Sequence, residues 1–248
     1  MITAIVNSHE QLRFRDYHTQ FEPMLNELKN WPKTERDALD LQARLAAEVR
    51  AVPLNKPPET IAGVDVAYND ATGLLIAAIT VLDAKTLNLV DQAVFEGKVD
   101  FPYVPGLFSF RELPPALEAD RQLKIRPDLY ICDGHGLAHP RHFGLACHLG
   151  LALNTPAIGC AKTHLYGTSC PPGELRGEKA PILDGDTQIG AVLRTQTGVK
   201  PVYVSIGHLI TLDEAVAVTL NASPKYRLPE TTRSADQLVR QRLKQASG

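Results

Sequence analysis

The sequence predicts a single α/β domain, and three observations carry that prediction. A chain of 248 residues, 44% hydrophobic and 22% charged, can bury one sizeable core. Short β-rich apolar runs and amphipathic helical stretches both occur along it, with no internal repeat, no low-complexity linker and no second-domain signature. Residues 127–150, PDLYICDGHGLAHPRHFGLACHLG, set an apolar strand, an acidic strand end, a glycine turn and a helix in one run. The division expected is an extension over residues 1–30 and one catalytic domain over 31–248.

Each element follows from its residues. The first 30 residues show no clean period beyond a loose helix around 20–28. Beyond Trp31-Pro32, Ala38, Leu41, Leu45 and Val49 recur at helical spacing, and Pro53, Pro57 and Pro58 end that amphipathic helix. IAGVDVAY (61–68) reads as a strand interrupted by Asp65, a carboxylate that is costly to bury unless it is paired or bound to a metal. LLIAAITVLDAKTLNLVDQAVFEGKV supplies two antiparallel strands joined near Asp83 to Lys85. FPYVPGLFSFRE (101–112) mixes aromatics with Pro and Gly, which suits either stacking on an external partner or a lid on the core; a helix is expected to start around Leu113 to Pro115. In 127–150 the strand stops at Asp133, Gly134 and Gly136 turn the chain, and Pro140 is expected in the first turn of a helix burying Phe143, Ala146, Cys147, Leu149 and Leu151. TPAIGCAKTHLYG gives a strand ending at Lys162, and 170–180 is a polar excursion. Two more strands follow in TQIGAVLRT and KPVYVSIG, then a helix capped by Thr211 and an Arg-rich helix from near Thr231 that carries Asp236.

Composition excludes several classes. No apolar run of ~18 residues suggests a membrane span, and the N-terminus lacks the basic start and apolar core of a signal peptide, so a soluble cytoplasmic protein is expected. Cys132, Cys147, Cys160 and Cys170 show no CxxC spacing and read as reduced packing residues. A net charge of -2 means that any nucleic-acid affinity must come from a local basic patch or bound cations.

Three constellations and a single lysine could carry chemistry. Asp65, Glu112, Asp133 and Asp236 would suit Mg²⁺ or Mn²⁺ and phosphoryl transfer, because hard cations take oxygen ligands and neutralise phosphate charge; N-caps and surface ion pairs are the plainer reading. His135, His139, His142 and His148 offer imidazoles at short spacing, as in a zinc hydrolase, or are ordinary hydrogen-bonding histidines. Lys162 is a phosphate contact or a surface lysine. Arg227, Arg233, Arg240, Arg242 and Lys244 form a backbone-gripping helix or a solvated one.

The runs IAGVDVAY, PYVPGLFSFRE, PDLYICDGHGLAHPRHFGLACHLG, PAIGCAKTHLYG, SIGHL and YRLPETTRSAD, in this order over roughly residues 60–240, resemble endonuclease V, the deoxyinosine 3′ endonuclease of DNA repair. The resemblance implies a ribonuclease H-like fold, a mixed central sheet flanked by helices. It implies that Asp65, Glu112 and Asp133 are metal carboxylates, that Asp236 completes the site, and that Mg²⁺, or Mn²⁺, is the cofactor. It places Tyr103 in a strand-separating wedge, His139 and Lys162 near the scissile phosphate, and Gly106, Phe108 and Gly134 along a pocket for the flipped base. Phe108 stands where leucine is common, and ETTR where EPTR is usual. The implied activity is hydrolysis of the second phosphodiester bond 3′ to deoxyinosine, leaving a 3′-hydroxyl and a 5′-phosphate. The implied partner is deoxyinosine-containing DNA, with inosine-containing RNA as a second candidate, bound by a monomer. A zinc-dependent hydrolase and a non-catalytic ribonuclease H-like binding module are the alternatives.

Overall fold

The computed structural model describes residues 31–69, 72–98 and 101–246, so the extension expected over 1–30 lies outside the described residues. In chain order the elements of the unit Lys33–Gly248 are α1 (Glu35–Ala46), β1 (Thr60–Asn69), β2 (Leu74–Asp83), β3 (Leu89–Lys98), α2 (Ser109–Asp120), β4 (Leu129–Cys132), α3 (Leu145–Leu153), β5 (Ala157–Ala161), β6 (Thr168–Ser169), β7 (Lys179–Asp184), β8 (Thr187–Leu193), β9 (Val202–His208), α4 (Leu212–Asn221) and α5 (Glu230–Ala246). The strands form one sheet in the order β3-β2-β1-β4-β5-β9-β8-β7-β6. The central pairs β1–β4 and β4–β5 are parallel and the remaining pairs antiparallel, which makes the sheet mixed as expected.

Burial explains this layering. β2 is apolar almost throughout and β4 and β5 are wholly buried, as strands covered on both faces must be. One face packs Ile61, Ile131, Ile158, Val204 and Ile206 against Ala215, Val216 and Ala222 of and beside α4. α5 lies on β1 and β2, with Val239 against Ile76 and Ala78. α2 and α3 pack together over the sheet, and Leu45 of α1 meets Phe143 and Cys147 beside α3. Helix starts are secured locally. Thr34 accepts from Asp37 N at 3.2 Å, and Thr211 and Glu214 form a reciprocal capping box.

Three sequence expectations need correction. α2 begins at Ser109, not around Leu113 to Pro115, because the turn from Val104 to Leu107 runs straight into it: Phe110 N donates to Leu107 O and Glu112 N to Phe108 O. Pro114 and Pro115 therefore sit inside the helix, at the cost of two amide donors. α3 begins at Leu145, not at Pro140, because the loop first folds back on itself; Gly144 N donates to Gly136 O, Ala146 N to His135 O, and His142 takes a left-handed φ of 50°. The polar excursion at 170–180 leads into β7, a strand the sequence reading omitted because Pro181 interrupts it. Proline is tolerated there at the weakly paired side of the sheet.

A very close approach of sheet and helix falls at Gly63. A Cβ there would lie 2.0 Å from the Thr231 carbonyl oxygen, while Thr80 on β2 donates to the same carbonyl at 3.1 Å and bonds Ser234 at 2.6 Å. Gly63→Ala should push α5 off the sheet and cost about 1–3 kcal/mol or more. A denaturant midpoint equal to that of the unaltered protein would show that the helix start is looser than this.

Candidate active site

The carboxylates meet where the two parallel strand pairs end. Val64 of β1 is in register with Cys132 of β4, so Asp65 and Asp133 follow as neighbours on strands about 4.8 Å apart, and Asp133 N donates to Val64 O at 3.4 Å. Asp65 shares its strand face with Gly63 and so points to the side covered by α5, from which Asp236 acts on it. Glu112 arrives from α2, is fully buried, and accepts a hydrogen bond from the Tyr68 hydroxyl at 3.3 Å. Lys162, just beyond β5, forms an ion pair with Asp133.

Electrostatics reflect this crowding. Burial first, then Asp133 and Asp236, push the Asp65 carboxyl up to about 7. Burial, then Asp65, push Glu112 well above the carboxylate range. Partial burial lowers the Lys162 ammonium, but Asp133, with Asp65 and Asp236, outweighs it, so that on balance it is raised. Asp236 also pairs with Arg240 at 2.8 Å across one helical turn. The sequence reading missed two contributors, Tyr68 and Arg111. The Arg111 guanidinium lies 4.3 Å from the centre of the Tyr68 ring and acts on Glu112 from the adjacent position. Their only signal was adjacency to the acidic residues in IAGVDVAY and FRE.

Among the described residues the histidines do not form a metal-holding group, although His135 and His142 lie near enough to His139 to lower it. His135 Nε2 meets Thr163 O at 3.0 Å, His142 pairs with Asp184 at 2.9 Å, and buried His148 meets Ser109 Oγ at 3.2 Å between Phe110 and Phe143. His139 accepts from Arg141 N at 3.2 Å and bonds the Gly106 backbone; burial, then Arg141, lower it to about 4. Each imidazole has its own partner, an arrangement that does not favour the zinc alternative. Three members of the basic run are engaged within the protein: Arg227 donates to Pro201 O and Lys162 O, Arg233 to Glu230, and Arg240 to Asp236.

Residues 101–112 divide between the two readings of the aromatic loop. Phe101 and Phe110 are buried against each other at 5.8 Å, a lid on the core. Tyr103 and Phe108 are 68% and 41% exposed, edge to face at 6.4 Å, with rings open to an external partner. Gly106, with φ of 79°, turns the loop, and its carbonyl accepts from Arg141 at 2.6 Å and from buried Gln42 at 3.1 Å. Gly134 donates its N–H to Cys132 O. A methyl at Gly134 would meet only Leu145 atoms at 3.9 Å, so the protein's own packing does not demand glycine there.

A mixed sheet with carboxylates converging at the ends of its central parallel strands is the layout of a ribonuclease H-like nuclease. The endonuclease V family profile matches residues 43–237. Endonuclease V of Streptomyces avermitilis is 50% identical, and its crystal structure covers 88% of this chain and 96% of its own at a TM-score of 0.84. Endonuclease V of Nocardia farcinica is 50% identical over 219 residues, 88% of this chain and 96% of its own. Endonuclease V of Ciona intestinalis, solved with a 24mer DNA containing an inosine followed by a ribo-adenosine, is 25% identical over 85% of this chain and 98% of its own, at a TM-score of 0.76. The chain belongs to the endonuclease V family, divalent-metal-dependent nucleases that hydrolyse phosphodiester bonds. No helix among the described residues is long and apolar enough to cross a membrane.

The donor set fits a divalent cation in chemistry. Asp65, Glu112 and Asp133 supply only oxygen, and Asp65 and Glu112 are raised first by burial and then by neighbouring carboxylates, both of which a bound cation would offset. Among the described residues no three such side chains are already drawn around an ion position. The two facts are compatible, because the Asp133 carboxylate is turned to the Lys162 ammonium.

The pH dependence of stability follows. Asp65 binds its proton up to about pH 7 in the folded chain but only to about 3.8 when unfolded, so the folded state holds the extra proton between these values. The metal-free protein should therefore lose stability as pH rises from about 4 to about 7, and Asp65→Asn should flatten that slope. Added Mg²⁺ should raise Tm more at pH 8 than at pH 5, since the cation needs ionised ligands. A slope unchanged in the Asn variant would assign the dependence to other groups.

Proposed function

We propose that this protein is a DNA-repair endonuclease that recognises deoxyinosine and cuts the second phosphodiester bond 3′ to it, leaving a 3′-hydroxyl and a 5′-phosphate. The observation that carries the reading is the convergence of Asp65, Glu112 and Asp133 at the sheet end in a chain of the endonuclease V family. Asp65, Glu112, Asp133 and Asp236 would hold the metal, with Mg²⁺ as the cofactor and Mn²⁺ as its substitute. When bound, the ion would polarise the phosphate and lower the pKa of water. Lys162, charged at neutral pH and tied to Asp133, stands ready to accompany a phosphate oxygen. His139, neutral at pH 7 and held by Arg141 and the Gly106 backbone, would act near the scissile phosphate. Tyr103 would fill the gap left by the extruded base. Gly106, Phe108 and Gly134 would line the pocket, with Gly134 supplying room rather than a donor, its N–H being already taken. Inosine-containing RNA is the second candidate substrate. The reading includes a monomer in the cytoplasm, and four free cysteines accord with a reducing compartment.

Matched duplexes carrying inosine, adenine or guanine at one position test the reading, with products sized on a denaturing gel in Mg²⁺. The expected result is a nick at inosine alone, abolished in Asp133→Asn while DNA binding persists, because phosphate contacts elsewhere supply affinity. Equal cutting of adenine, release of a free base, or near-normal nicking by the Asn variant would overturn it.

Tyr103→Ala should weaken activity most on duplex DNA, where unstacking must be offset by base–aromatic contact of about 1–3 kcal/mol, and less on single strands. The ratio of kcat/KM on the two substrates is the measurement; equal losses would make Tyr103 a structural residue.

A further inference from the structure

A further exposed aromatic, Tyr226, lies far from the Tyr103 loop in sequence and is held by separate anchors. It is 50% exposed, yet the backbone of its loop is held by three side chains. Gln196 Nε2 donates to Tyr226 O at 3.2 Å and to Ser223 O at 2.8 Å, Thr195 Oγ1 donates to Arg227 O at 2.6 Å, and Arg176 donates to Ser223 O at 2.7 Å. Arg227 in turn donates to Lys162 O at 2.6 Å, which ties this loop to the lysine paired with Asp133.

The ring itself is backed by a cation. The Arg233 guanidinium lies 3.6 Å from the ring centre and is held there by Glu230 at 2.7 Å. Arg233 is three residues before Asp236 on α5, so the two share a helix face about 4.5 Å apart along the axis. The ring is thus backed by a residue that lies one helical turn from Asp236. A solvated tyrosine needs none of this support for the fold's sake. An aromatic face held rigid beside a cation and a site for phosphodiesters is what a nucleobase stacks on, because every base offers a π-face and a pre-ordered platform spares the entropy of ordering it.

We propose that Tyr226, backed by Arg233, is a stacking platform for a nucleotide of the bound strand next to the cleaved linkage. The proposal rests on the nuclease reading above and adds a contact outside the base pocket. It requires the aromatic ring and not its hydroxyl, and it acts on strand binding rather than on bond cleavage.

The test uses Tyr226→Ala, Tyr226→Phe and Tyr226→Trp in the full chain. Anisotropy of a fluorescein-labelled, unmodified single-stranded oligonucleotide in EDTA should show a dissociation constant about tenfold weaker for the Ala variant, with Phe and Trp within about twofold of wild type. On an inosine-containing strand in Mg²⁺ the Ala variant should raise KM about tenfold and move kcat far less, with Tm unchanged. Wild-type binding by the Ala variant, a Phe variant as weak as Ala, or a fall in kcat at constant KM would overturn the platform. A wild-type chain that binds the oligonucleotide through Tyr226 but leaves the inosine strand uncut would overturn the proposed function and leave the platform standing.

Discussion

The structure depends on concentrating carboxylates where water is scarce. Asp65 and Glu112 are both held above their ordinary range, the first by burial with Asp133 and Asp236, the second by burial with Asp65. Such a cluster opposes folding of the metal-free chain at neutral pH, since like charges in a low dielectric repel and lose hydration. The surrounding fold must therefore hold together for other reasons, and it does so through the apolar sheet faces. A lysine supplies part of the missing positive charge, and a cation would supply the rest.

Geometry enforces the cluster from four directions that no single element could provide. Parallel register sets Asp65 beside Asp133. α2 brings Glu112 against Tyr68 and Arg111, and the end of β5 delivers Lys162. α5 brings Asp236 only because Gly63 lets the Thr231 carbonyl reach the strand, where Thr80 and Ser234 fasten it. Packing that looks remote from chemistry is thus what decides the spacing of the charges.

Much of this was legible in the residues. Asp65 in an apolar run and Asp133 at a strand end followed by glycines announced themselves by being uneconomic where they stood, and the structure places both as the strand pattern required. The start of α2 was misread because two prolines look like a first turn, while the real first turn is set by the preceding Val104 to Leu107 loop, a backbone event with no side-chain cap. β7 was missed although Asp184-Gly185 is a hairpin signal; Gly185 takes φ of 57° and Asp184 pairs with Thr187. The histidines left two readings open because spacing cannot show that each ring has a separate partner. Gln42 could not be found from sequence at all, since its importance lies in reaching Gly106 and Phe143, 64 and 101 residues away.

Those long-range bonds explain how exposed aromatics can be held without a bound partner. Gln42 spends its amide on the Gly106 and Phe143 carbonyls and its oxygen on Arg141, whose guanidinium also grips Gly106, so the loop behind Tyr103 is fixed by fully engaged polar groups. Breaking one partner would leave a buried donor or acceptor unsatisfied, at about 1–3 kcal/mol, which makes the clamp stiffer than its net stabilisation suggests. Gln196, Thr195 and Arg227 hold the Tyr226 loop by the same means, through side chains that reach backbone carbonyls. Both loops are thereby ordered during folding. Substrate binding then has less conformational freedom to remove, and contacts made by the aromatic rings are not spent on ordering the segments that carry them.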